Sequence, residues 1–246
     1  MSAMITQGNK QTRDALDHQQ NHENPLAEKL RQFISNPDFP CVGAKSALAK
    51  GQVNILVARA IDSAWNDLEI HQELLEFVDR YRNNRALFQT FAVIFEGPRT
   101  LGEEDYETHL WNRIQSMSDK DAWLGQPYDR QVSPDPEDPH FALSFGGEAF
   151  FVVGLHPNAS RKARRFSAPT MIFNLRDQFT QLRDQGRYEK LRSAIIGRDI
   201  GFSGSINPML ARHGEESEAR QYSGRAVNDD WQCPFSPPAL EKADSA

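Results

Sequence analysis

The sequence predicts an α+β fold, a single domain in which helices flank a largely antiparallel sheet. Three observations predict it. Short apolar, β-branched runs recur along the chain, separated by stretches with helical spacing. Two apolar runs, "FALSF" and "EAFFVVG", meet at Gly146-Gly147, a pair that favours a tight hairpin. No internal repeat and no obvious boundary divides the 246 residues.

The elements follow in order. Asn24-Pro25 has the form of an N-cap with proline at the first helical position, and a short amphipathic helix follows through about Ile34. "NPDFPCVGAKSA" is turn-rich and leads into a short helical turn. "VNILVAR" reads as a buried strand. "NDLEIHQELLEFVDRYRNN" is a helix, with Leu68, Leu74, Leu75, Val78 and Tyr81 at helical spacing. "LFQTFAVIFEG" is a strand ended by Gly97-Pro98. "EEDYETHLWNRIQSM" is a second amphipathic helix with Tyr106, Leu110, Trp111 and Ile114 on one face, and its acidic start suits the helix dipole. After the proline-rich loop "DRQVSPDPEDPH" come the hairpin and the strand "PTMIFN". "LRDQFTQLRDQGRYEKLRSAIIGRDI" reads as two charged helices split near Gly186. From Gly201 to Phe235 there is little periodicity. The expected organisation is a flexible polar arm over 1–24, the domain over 25–236 and a flexible tail over 237–246.

Composition narrows the function. Hydrophobic residues at 39% and aromatics at 10% mark a globular chain. A formal net charge of −6 gives no whole-molecule basic footprint for nucleic acid, so positive patches must be local. No apolar run approaches the ~20 residues of a membrane span. The N-terminus has no apolar core of a secretory signal. Cys41 and Cys233 make no disulfide framework, and a reducing cytoplasm is the expected location. Neither C-x-x-C nor H-x-x-x-H spacing for zinc occurs. The P-loop, G-x-S-x-G and G-x-G-x-x-G patterns are missing as well, although Lys45-Ser46 resembles a fragment of the first.

Three segments stand out chemically. "GLHPNASRKARRF" puts His156 at a strand end, stopped by Pro157, with Arg161, Arg164 and Arg165 close behind. Such arginines either form a solvated or salt-bridged surface or hold carboxylates and phosphates; the histidine is either a hydrogen-bonded structural residue or a ligand. "GSINPMLARHGEESEARQYSGR" is either a solvated loop with a short helix or a binding loop. In the second case Glu215, Glu216 and Glu218 meet a cationic group, and Ser223, Gly224 and Arg225 an anionic one. In "WQCPF", Cys233 is either a heme thiolate or a buried structural cysteine, and Cys41 in "FPCVGAKSA" shares that ambiguity.

Together "FPCVGAKSA", "FFVVGLHPNASRKARRF", "IFNLRDQFTQLRDQGRY", "RDIGFSGSINPML", "HGEESEARQYSGR" and "WQCPF" resemble the YqcI/YcgG family, over roughly Phe39 to Phe235. The characterised members are heme proteins, some of them guanidine N-hydroxylases of guanitoxin and D-cycloserine biosynthesis. The resemblance implies a b-type heme, since no C-x-x-C-H attachment motif occurs. It also implies hydroxylation of a nitrogen in a small arginine-like guanidine or amine, using dioxygen and electrons from an external reductase. On that reading His156 is the axial ligand, with Cys233 as rival. Arg161 and Arg165 hold propionates, and Arg164 joins them or faces solvent. Glu215 and Glu218 hold the substrate guanidinium, Arg225 serves a carboxylate, and His213 lies distally or near the substrate. The alternatives are a non-catalytic heme protein, as sensor or carrier, and an anion-binding structural protein without heme. A homodimer is compatible with either.

Overall fold

The computed structural model describes residues 24–211 and 214–237. Most of the expected arm, most of the tail and His213 lie outside the described residues.

Asn24 caps the first helix as its sequence predicts: its Oδ1 accepts from the Leu26 N–H at 2.9 Å, and Pro25 opens α1 (Pro25–Ser35). The turn-rich segment gives more helix than expected, α2 (Val42–Ala49), because the Cys41 Sγ accepts from the Ala44 N–H and serves as the cap. Then come β1 (Val53–Ala60), α3 (Asp67–Asn83), β2 (Thr90–Gly97) and α4 (Glu103–Trp123). The hairpin strands are β3 (Leu143–Phe145) and β4 (Glu148–Leu155), followed by β5 (Thr170–Leu175). The charged stretch splits at Gly186 into α5 (Asp177–Asp184) and α6 (Tyr188–Ser203), and α7 (Ala219–Tyr222) is one turn.

Among the described residues the strands form one sheet in the order β1-β2-β5-β4-β3. It is mostly antiparallel, as expected for this α+β protein, but β1 runs parallel to β2 because α3 carries the chain back between them. The hairpin turn needs positive φ at both central residues, and Gly146 and Gly147 supply 57° and 77°. A Cβ on Gly146 would come within 2.8 Å of Leu75 Cδ2. The Gly146 N–H donates to Asp121 of α4, and the same carboxylate meets Nε2 of the buried His71 on α3 at 2.8 Å. One carboxylate therefore fixes the hairpin against both helices.

Side chains of a strand alternate between faces, so the sheet has two cores. On one face Phe91, Val93, Phe150, Val152 and Phe173 pack against α3 and α4. Leu68 departs from the expected pattern: it is exposed, and Ile70 and Phe77 turn inward with Leu74, Val78 and Tyr81. On the other face Ala92, Ile94 and Leu155 pack against α1, with Val153 and Ile172 partly buried beside them.

Candidate ligand cavity

α6 has no buried residue. Its inner side, with Leu191, Ile195 and Ile196, stands over an open hollow instead of a packed sheet. Helices in folded proteins gain most of their stability by packing an apolar face. Here that face remains incomplete. The hollow has a volume of about 230 Å³ and is lined by Phe151 of β4, Phe179 of α5 and these α6 residues. A second apolar hollow of about 180 Å³ adjoins it, sharing Phe151, Phe179, Leu191 and Ile195 and reaching Cys41 and Ala44 of α2. Together they fall within the roughly 300–1,000 Å³ of small-molecule pockets.

The rim is cationic. Arg176, Arg183 and Arg192 line the larger hollow. Arg176, at the end of β5, is ion-paired with Glu218. Arg183 lies over the Tyr188 ring at 4.7 Å. Neither Arg183 nor Arg192 has an acidic partner among the described residues. Arg176 and Arg183 also line a polar basin of about 300 Å³ that holds Asp129, Glu148 and Asp177, so the two arginines form a wall between an apolar and a polar chamber.

Of the residues the sequence singles out, the structure brings Glu218 to this cavity. The arginines of the "RKARRF" segment are engaged elsewhere. Arg161 donates to Asp199 of α6 at 2.6 Å and to the Ser205 carbonyl at 2.9 Å. Arg165 donates to the Ala159 and Ser160 carbonyls. Arg164 does not face solvent. It turns inward to the carbonyls of Gly154 and Gln221, and burial brings its pKa down to about 10. Arg225 is bound to Glu107 of α4, at 2.5 Å from one nitrogen and 3.0 Å from another. Glu215 is exposed in the turn before α7. Cys233 packs against the core on the α3–α4 face, and burial raises its thiol pKa to about 12. Cys41 stands at the smaller hollow, its thiol likewise pushed upward by burial.

His156 follows the parity of the strand before it. Phe151 and Val153 line the hollows; Gly154 and His156 lie on the α4 face, where the imidazole stacks on Tyr106 with ring centroids 4.5 Å apart. The ring is buried, and its Nδ1 has no partner among the described residues. Burial lowers its pKa below the ordinary 6.5. Above that value neither the folded nor the unfolded chain holds the proton. Below it the unfolded chain binds a proton that the fold resists, so stability falls until the lower, folded pKa is passed. Replacing His156 with Phe keeps a ring on Tyr106 and removes the unpaired nitrogen. The urea midpoint of His156→Phe should therefore fall less steeply than wild type as pH drops through about 6.5. Parallel slopes would show that the imidazole is not held neutral by its surroundings.

The cavity residues escape sequence reading for one reason. Leu191, Ile195 and Ile196 show helical spacing, but a stripe facing a core and a stripe facing a cavity have the same spacing.

The fold and the hollow define an α+β protein with an apolar, arginine-rimmed cavity between its sheet and a covering helix. The chain belongs to the YqcI/YcgG family, whose model matches residues 30–236. No curated protein matches the chain, and no solved structure does. No helix among the described residues is long and apolar enough to cross a membrane.

Proposed function

We propose that the cavity under α6 holds a b-type heme and that the protein is a heme-dependent monooxygenase hydroxylating a nitrogen of a small guanidine or amine. The observation that carries the heme is an apolar slot rimmed by two guanidinium groups with no acidic partner among the described residues. A flat apolar ring bearing two carboxylates satisfies both features, because arginine matches a carboxylate with paired hydrogen bonds. The family resemblance supports the reaction.

When bound, the heme supplies the activation of dioxygen, with electrons drawn from outside the chain. The chain's own residues supply the rest. Phe151, Phe179, Leu191 and Ile195 make the hollows apolar and would exclude water from a bound heme. Arg183 and Arg192 at the rim would hold its propionates. Cys41, which lines the adjoining hollow, is the residue that would offer a bound heme a sulfur ligand. His156 stacks on Tyr106 on the opposite face of the sheet, so a heme under α6 would take its ligand from elsewhere. Glu218 is the substrate anchor. Its carboxylate lines the cavity and is held there by Arg176, which fixes the position a substrate guanidinium would approach.

The test is turnover of the heme-loaded protein with a reductant, dioxygen and a panel of guanidines and amines. Glu218→Gln leaves the Arg176 charge without its counter-ion and should lower the urea midpoint, but the folded protein should keep the heme spectrum, raise KM for a guanidine about tenfold or more, and release more peroxide per dioxygen consumed. Retained heme with no hydroxylated product from any compound would leave a heme sensor or carrier in place of the enzyme.

A further inference from the structure

The outer face of α6 is basic on a chain of net charge −6. The exposed positions of this face include the cations Arg187 at its cap, Lys190 and Arg198 and the small residues Ser193, Ala194 and Gly197, with Ile200 exposed towards its C-terminal end. The neighbouring turn adds Lys162 and Arg165, both exposed, and Arg161 ties that turn to α6 through Asp199. At the other side Lys45 of α2 donates to the Pro37 carbonyl, and Arg198 donates to the same oxygen, so these two cations also converge. Glu189 is the exposed acid within the helix; Asp199 is taken by Arg161. A helix of 16 residues spans roughly 24 Å, a length suited to a protein partner.

The place of this face matters as much as its charge. The inner side of α6 roofs the apolar cavity, so the outer surface is one helix, about 10 Å, from the cavity beneath. Electron tunnelling weakens exponentially with distance, and the small side chains of Ser193, Ala194 and Gly197 leave the middle of this face flat. On the heme reading above, electrons are drawn from outside the chain, and a carrier docked on this face would deliver them over that short distance.

We infer that the outer face of α6, with the Lys162–Arg165 turn and Lys45, is the docking surface for an acidic one-electron carrier protein. Complementary charge steers such a partner to the roof of the cavity, and the effect lies mainly in the association rate and its salt dependence. This inference rests on the heme reading above.

The experiment uses a reduced plant-type [2Fe–2S] ferredoxin, an acidic carrier, mixed anaerobically with the heme-loaded protein in stopped flow. Heme reduction should be second order and should slow as salt rises. The double variant Arg187→Glu/Lys190→Glu should be slower by about tenfold or more at low salt and should converge with wild type at high salt. Neither residue lines the cavity, so heme content and reduction by dithionite should match wild type. A ferredoxin rate indifferent to salt and to the charge reversal overturns the docking surface. Equal slowing with dithionite also overturns it, because the defect would then lie in the heme site. Tighter binding of a DNA duplex than of ferredoxin at the same salt would assign the face to nucleic acid. Failure of the heme reading shows separately, as a chain that takes up no hemin. Titration of ferredoxin into that chain still decides the surface: salt-sensitive binding lost in the double variant supports it, and no binding rejects it.

Discussion

Replacing both Arg183 and Arg192 with glutamate should weaken hemin binding by about a hundredfold or more while leaving the fold intact. Both guanidinium groups line the apolar hollow, and neither has an acidic partner among the described residues. Each charge-assisted hydrogen bond to a propionate is worth roughly 1.5–3 kcal/mol, so losing two removes roughly 3–6 kcal/mol before the new repulsion is counted. The fold should tolerate the change because Arg183 is exposed, Arg192 is half-buried, and neither completes an internal ion pair. Surface substitutions of that kind shift stability by about 0.5 kcal/mol or less. Hemin affinity and the urea midpoint are therefore to be measured on the same preparations. An unchanged affinity would remove the propionate role; an equal loss of stability would make these arginines structural.

Arg176→Met should destabilise the protein by about 3–5 kcal/mol, a fall in Tm of roughly 10 °C. Arg176 and Glu218 are each about nine-tenths buried, and their ion pair joins the end of β5 to the start of α7. Removing one partner leaves the other's charge buried against the cavity wall. Replacing both with apolar residues of similar size, as Arg176→Met/Glu218→Leu, should recover much of the loss, because no uncompensated charge remains. A double variant as unstable as Arg176→Met would show that the two side chains act independently. The same double variant should still bind hemin and fail to turn over a guanidine, which separates Glu218 as substrate anchor from the residues that hold the ring.

The skeleton of the fold was legible because local physics wrote it. Asn24-Pro25, Gly146-Gly147 and Gly186 each demand one backbone geometry, and each marks the boundary where it was expected. The parallel β1–β2 pair was not legible, since pairing direction is a property of the whole sheet and leaves no mark in "VNILVAR". The site fared differently. Clustered charge at Arg161, Arg164 and Arg165 advertises anion binding, yet the fold directs these groups to Asp199 and to main-chain carbonyls. Sequence shows a charge without its partner. Conversely Arg183 and Arg192 look like solvated charges on ordinary helices, and three-dimensional packing alone places them on one rim. His156 shows the same limit: its neighbours in sequence suggest a cofactor, whereas strand parity sends it to Tyr106 on the α4 face.

Hemin titration of the purified chain, followed at the Soret band, tests the cavity most directly when wild type is run beside Ile195→Trp and His156→Phe. Ile195 lines both hollows, and an indole there fills the space the porphyrin needs. Heme seated under α6 predicts saturation at one hemin per chain in wild type and in His156→Phe, and loss of saturable binding in Ile195→Trp. A wild type that takes up no hemin would contradict it. So would binding that survives Ile195→Trp and disappears in His156→Phe, which would put the heme on the other face of the sheet.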